Sequence, residues 1–251
     1  AEQRELDLEE AMEVAKRFHD KLTPLELWLD NSERAVKNME LIPTDEEKIQ
    51  QRIREHDRLH DEILSKKPDF SDVADVAGQL MQLVSDEEAV NLGEKVRTVT
   101  DRYTNLVDAS ENIGALLAES RQGLRHLVLT YQDLVAWMES MENELKRYKS
   151  VPVHAEKLLE QMDNLLELNE NIANHAPNVE ATVDSGSELM KHISNDEAIQ
   201  LKDKLDSLQR RYGELTNKGG DLLKNAQNAL PLVQQFHEAH NRLIEWMQSA
   251  E

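Results

Sequence analysis

His56 and His60, one helical turn apart, are the residues whose types and spacing come closest to chemistry. At i, i+4 on a helix both imidazoles fall on one face, which is half of a zinc site. A third and a fourth ligand would have to complete it, and none is evident; cysteine is absent from all 251 residues. The chain also lacks the G-x-x-x-x-G-K-[ST] loop that cradles phosphates, the H-E-x-x-H zinc pair and the G-x-S-x-G nucleophile elbow. Its 50 Asp and Glu residues are spread along helical faces and read as solvated surface. No catalytic residue, metal or cofactor is expected, and the chain reads as a non-enzyme.

The elements that would position any such groups are helices. Charged residues make up 31%, aromatics 4%, and only 8 Gly and 6 Pro interrupt stretches rich in Leu, Glu, Lys, Gln and Ala. A hydrophobic content of 39% suits thin bundles better than one thick core. The formal charge of −21 argues against a direct nucleic-acid role, because binding to phosphates draws on clustered Lys and Arg, and it disfavours anionic membranes. No apolar run approaches the roughly 20 residues that span a bilayer, and Ala1-Glu2-Gln3-Arg4-Glu5 is unlike a signal peptide. A soluble segment of something longer is expected, with no nucleic-acid partner and no membrane insertion; the missing cysteines fit a reducing compartment.

Self-similarity organises the chain. The three tryptophans, Trp28, Trp137 and Trp246, lie 109 residues apart both times. The same offset carries Pro43 onto Pro152, Ile63 onto Ile172, Pro68 onto Pro177 and Arg102-Tyr103 onto Arg211-Tyr212, with no gap. The histidine pair does not repeat: its counterparts are Leu165 and Asn169, which argues against a metal site.

Apolar spacing within a unit is helical. One stripe holds Phe18, Leu22, Leu25, Trp28, Leu29 and Val36, answered by Leu127, Tyr131, Leu134, Trp137, Met138 and Leu145. A second runs Ile49, Ile53, Leu59, Ile63. The third, Leu92, Val96, Val99, Tyr103, Leu106, repeats as Leu201, Leu205, Leu208, Tyr212, Leu215. Such stripes are bundle seams. The tryptophans, Trp246 included, are expected in the core, and the tyrosine hydroxyls at its rim.

Thr44-Asp45-Glu46-Glu47 and Ser85-Asp86-Glu87-Glu88 read as capping boxes. Pro43 and Pro152 precede the second helix of a unit, whereas Pro68 and Pro177 fall inside it and should interrupt it. Helices are predicted near 12–40, 44–83 with a break at Pro68, and 86–120. No turn signal separates the third helix from the next first helix, so the two should fuse, and helices of roughly 30 residues give units on the order of 45–50 Å long. The units are placed at 12–120 and 121–229, with 1–11 ending a preceding helix and 230–251 opening a further unit. Gly219, Gly220 and Pro231 mark the second junction as a candidate hinge, because Gly and Pro both weaken a helix interior.

Three-helix units of this length, with Trp in the first helix, an Arg-aromatic pair in the third and a continuous helix between neighbours, resemble spectrin repeats. The segments that carry the likeness run from Phe18-His19-Asp20 to Trp28-Leu29-Asp30, from Phe236-His237-Glu238 to Trp246-Met247, and through Arg102-Tyr103 and Arg211-Tyr212. Many such repeats have Trp where Tyr103 and Tyr212 stand. The opening from Leu8 to His19 is most similar to the rods of spectraplakins, linkers of actin and microtubules. The resemblance implies an all-α, elongated, monomeric rod in a cytoplasmic cytoskeletal cross-linker, whose repeats set separation and recruit protein partners. The alternative is a dedicated recognition module that binds one partner through an acidic helical face.

Overall fold

The computed structural model describes residues 2–250, and every regular element among them is an α-helix. In chain order these are α1 (Glu2–Asn38), α2 (Glu46–Ser65), α3 (Lys67–Met81), α4 (Asp86–Lys146), α5 (Ala155–Asn174), α6 (Ala176–Met190) and α7 (Asn195–Ser249). They form two compact units, one of Ala1–Gln122 with His192–Ser194, the other of Gly123–Lys191 with Asn195–Glu251.

In the first unit α1 buries Val14, Phe18, Leu22, Leu25, Leu29 and Val36 along one stripe. Against it lie Ile49 and Ile63 of α2, Phe70, Val73, Val76 and Leu80 of α3, and Val99, Tyr103, Leu106 and Leu117 of α4. Leu92 and Val96 are half-buried at the edge of this core. In the second unit Leu134, Met138 and Leu145 of α4 pack with Leu158, Leu165 and Ile172 of α5, and with Leu208 and Leu215 of α7. Leu205 is buried, and Leu201 and Tyr212 are half-buried.

The second helix of each unit breaks where its proline stands. Pro68 has no N–H for the Leu64 carbonyl and its ring crowds that oxygen, so α2 stops at Ser65 and α3 starts with Pro68 in its first turn. Pro177 does the same between α5 and α6. The expected fusion of third and first helices is present as α4, 61 residues without interruption. Ser85 caps it, its Oγ accepting from Glu88 N–H at 3.3 Å. The cap of α2 falls one residue later than the Thr44 box implies: Asp45 is the extended residue and its carboxylate accepts from Lys48 N–H at 3.1 Å.

Pro24 lies inside α1, where the apolar periodicity carries on undisturbed. One placement departs from expectation. Trp246 is not in a core; it is 67% exposed. Its register matches Trp28 and Trp137, but all residues from 234 to 249 are exposed and no other described helix covers them. α7 also runs through Gly219, Gly220 and Pro231 as one helix.

Candidate functional site

Each unit concentrates its polar design where the broken second helix meets the other two. In the first unit the Trp28 indole Nε1 donates to Glu62 Oε1 at 3.0 Å, and Phe70 stacks on Tyr103 with centroids 4.4 Å apart. Trp28 is half-buried and closes this aromatic layer at 6.0 Å from Phe70. In the second unit Trp137, also half-buried, donates to Asn171 Oδ1 at 3.2 Å, the residue in register with Glu62. Phe70 is replaced there by Val179, and His175 stacks flat on Trp137 at 3.7 Å.

The tyrosine hydroxyls do not reach the rim. Tyr103 Oη donates to the Ile63 carbonyl at 2.6 Å, and Tyr212 Oη to the Ile172 carbonyl at the same distance. Those carbonyls lie just before the proline break, where the ordinary helix ladder is disrupted. Burial raises both phenols above their ordinary value, partly offset for Tyr212 by its bond with Thr216. A tryptophan at this place has a longer ring and could not put a hydroxyl on that carbonyl, which gives the departure from Trp a structural role.

Arg102 ties α4 back to α1: its guanidinium reaches Glu33 at 2.9 Å and Asp30 at 2.7 Å. The hydrogen bond it donates to Asp30 is the main cause that raises its pKa, opposed by desolvation, so the guanidinium stays charged. Arg211 repeats the arrangement on Glu142 at 2.8 Å.

The histidine pair serves packing. His56 is buried and its Nε2 lies 2.7 Å from the Ser110 carbonyl. A carbonyl only accepts, so Nε2 carries the hydrogen. Ser110 Oγ and His60 Nδ1 are 2.7 Å apart, and the two imidazoles stack at 5.6 Å. Gly114 makes room: a Cβ there would meet His56 Cε1 at 2.7 Å. In the second unit the same positions hold Leu165, Asn169, Gly219 and Leu223, and Asn169 Nδ2 donates to the Gly219 carbonyl at 3.0 Å. A Cβ on Gly219 would meet Asn169 Oδ1 at 2.3 Å, so this glycine leaves room for the Asn169 side chain. Among the described residues no group of three or more His, Asp or Glu is placed to hold a metal ion.

One groove recurs in both units between the first helix and the part of the second that follows the break. In the first unit it encloses about 240 Å³ and is lined by Lys21, Pro24, Lys66, Asp69 and Asp72. In the second it encloses about 540 Å³, and the residues in register are Thr130, Asp133, His175, Asn178 and Ala181. Among the described residues no helix is long and apolar enough to cross a membrane.

Residues 14–119 and 124–219 match the spectrin repeat, and the chain belongs to that family. It is similar to microtubule-actin cross-linking factor 1, isoforms 6/7, of Mus musculus, at 26% identity over 248 residues, 99% of this chain and 8% of that protein. The Rattus norvegicus microtubule-actin cross-linking factor 1 is likewise 26% identical over 248 residues, 99% of this chain and 5% of its own length. The Homo sapiens isoforms 6/7 are 29% identical over 142 residues, 57% of this chain and 4% of that protein. The chain therefore spans less than a tenth of the length of these relatives.

Proposed function

We propose that this chain is a non-catalytic rod segment of a large cytoskeletal cross-linking protein, working as a spacer between filament-binding ends and as a scaffold for protein partners. The observation that carries the reading is α4, one helix of 61 residues that supplies the third seam of the first unit and the first seam of the second. A continuous helix adds about 1.5 Å of length per residue, which is the kind of element a spacer requires. The similarity to cross-linking factors supports the cytoskeletal context and, with it, a cytoplasmic location. Unit boundaries at 12–120 and 121–229 follow the 109-residue register. Residues 230–251 then open a further unit, because Phe236, Leu243 and Trp246 are exposed in register with Phe18, Leu25 and Trp28, which are covered by α2, α3 and α4. Light scattering coupled to gel filtration, with small-angle X-ray scattering, tests the reading. A mass near 28.8 kDa is expected for a monomer. The expected largest dimension is roughly 100–130 Å, from the helical rise. A compact particle would overturn it.

A further inference from the structure

We propose that the groove between α4 and α6 of the second unit is a docking groove for a Lys or Arg side chain carried by a partner protein. The first unit shows what fills this place when the chain supplies its own cation. There the Lys66 ammonium lies 5.6 Å from the centre of the Trp28 ring and 3.9 Å from the Asp69 carboxylate. Aromatic face and carboxylate together favour a cation, and Lys66 takes up the space between them.

The second unit keeps the tryptophan, lays an imidazole on it where the first unit has the Lys66 ammonium, and moves the carboxylate. His175 replaces Lys66 and lies flat on Trp137, Thr130 replaces Lys21, and Asn178 replaces Asp69. A carboxylate is nonetheless present, brought in on the opposite wall by Asp133 where the first unit has Pro24. Val73 and Val76 become Thr182 and Ser185, and the groove grows from about 240 to about 540 Å³. The result is an open slot with the stacked His175 and Trp137 rings as its platform, the His126 imidazole, hydroxyl and amide groups and one carboxylate, on a chain of net charge −21. Charge complementarity selects a basic side chain, and the planar guanidinium suits a stacked ring best. This goes beyond the spacer reading and does not depend on it.

The test follows the indole N–H signals of Trp28, Trp137 and Trp246 by NMR on the full chain. The probes are acetyl-Leu-Arg-Leu-amide and the same peptide with neutral citrulline in place of arginine. The arginine peptide is expected to move the Trp137 signal saturably and leave Trp246 in place, with citrulline about tenfold weaker. Asp133→Asn, at an exposed position, should weaken the arginine peptide about tenfold without loss of helicity. His175→Lys should block it by restoring the chain's own cation. Equal response to both peptides, indifference to Asp133→Asn, or a still Trp137 signal at millimolar peptide would overturn the proposal. Scattering on the same sample reads the spacer role separately, so either can fail alone.

Discussion

The hydroxyl of Tyr103 donates to the carbonyl of Ile63 at 2.6 Å, across from the third helix to the end of α2. Tyr103→Phe removes the donor and leaves the ring in place. The expected loss is about 1 kcal/mol, an ordinary net hydrogen bond, because Ile63 O keeps the Lys66 N–H. Urea unfolding followed by circular dichroism measures it, and Tyr212→Phe should act alike. An unchanged midpoint would mean the bond contributes nothing.

The same tyrosines give an alkaline signature. Their folded pKa is raised above 10.0 by burial, so the folded state holds the proton more tightly than the unfolded one. The stability they contribute is complete below the ordinary pKa and is lost as pH rises through the folded value. Unfolding midpoints should therefore fall above about pH 10. The double variant Tyr103→Phe, Tyr212→Phe should flatten that fall.

Trp137 and Trp246 share a register and differ in burial, which separates their predicted costs. Trp137→Ala removes the floor of an aromatic layer and should cost about 3 kcal/mol, the low end for this truncation because the ring is half-buried. Trp246→Ala should shift stability by less than about 0.5 kcal/mol. Equal effects in urea unfolding would contradict the exposure of Trp246.

That contrast shows what a sequence makes legible. Periodicity placed Phe18, Leu25, Leu208 and Leu215 on buried faces because the face of a helix is a local property. Burial of Trp246 depends on what covers the face, and register alone does not supply the cover. The tyrosine bonds were hidden for a similar reason: the acceptor is a backbone carbonyl beside a proline break, and nothing in Ile63 itself announces it. The cluster of His56, Ser110 and Gly114 did leave a trace. At the 109-residue offset it changes together, to Leu165, Gly219 and Leu223, as residues in contact across two helices must.

Gly114 gives a prediction whose sign reverses with its neighbour. Alanine is the better helix former by about 1 kcal/mol, so Gly114→Ala should stabilise where there is room. Here the new methyl meets His56 Cε1, and His56 is held by its bond to the Ser110 carbonyl. The crowding should outweigh the propensity and destabilise by about 1 kcal/mol net. In a His56→Ala background the same change should stabilise. A thermal-unfolding double-mutant cycle reads both, and additive effects would show that the two side chains do not meet.

The second junction is the last point at which the units differ in a way that can be measured. Gly219 is pinned by Asn169 and packs closely, so flexibility is not expected there. Gly220 is exposed, and Pro231 offers no N–H to the Gln227 carbonyl four residues before it. The corresponding stretch of α4 contains no proline and buries Ile113, Leu117, Leu124 and Leu127. Amide exchange should therefore be about tenfold or more faster across 227–234 than across 110–125, since a lost bond and a proline together cost a helix about 3 kcal/mol. Pro231→Ala should bring the two closer together. If both stretches exchange alike in the native chain, Pro231 is a bend that neighbouring side chains hold rigid, and the second junction is no hinge.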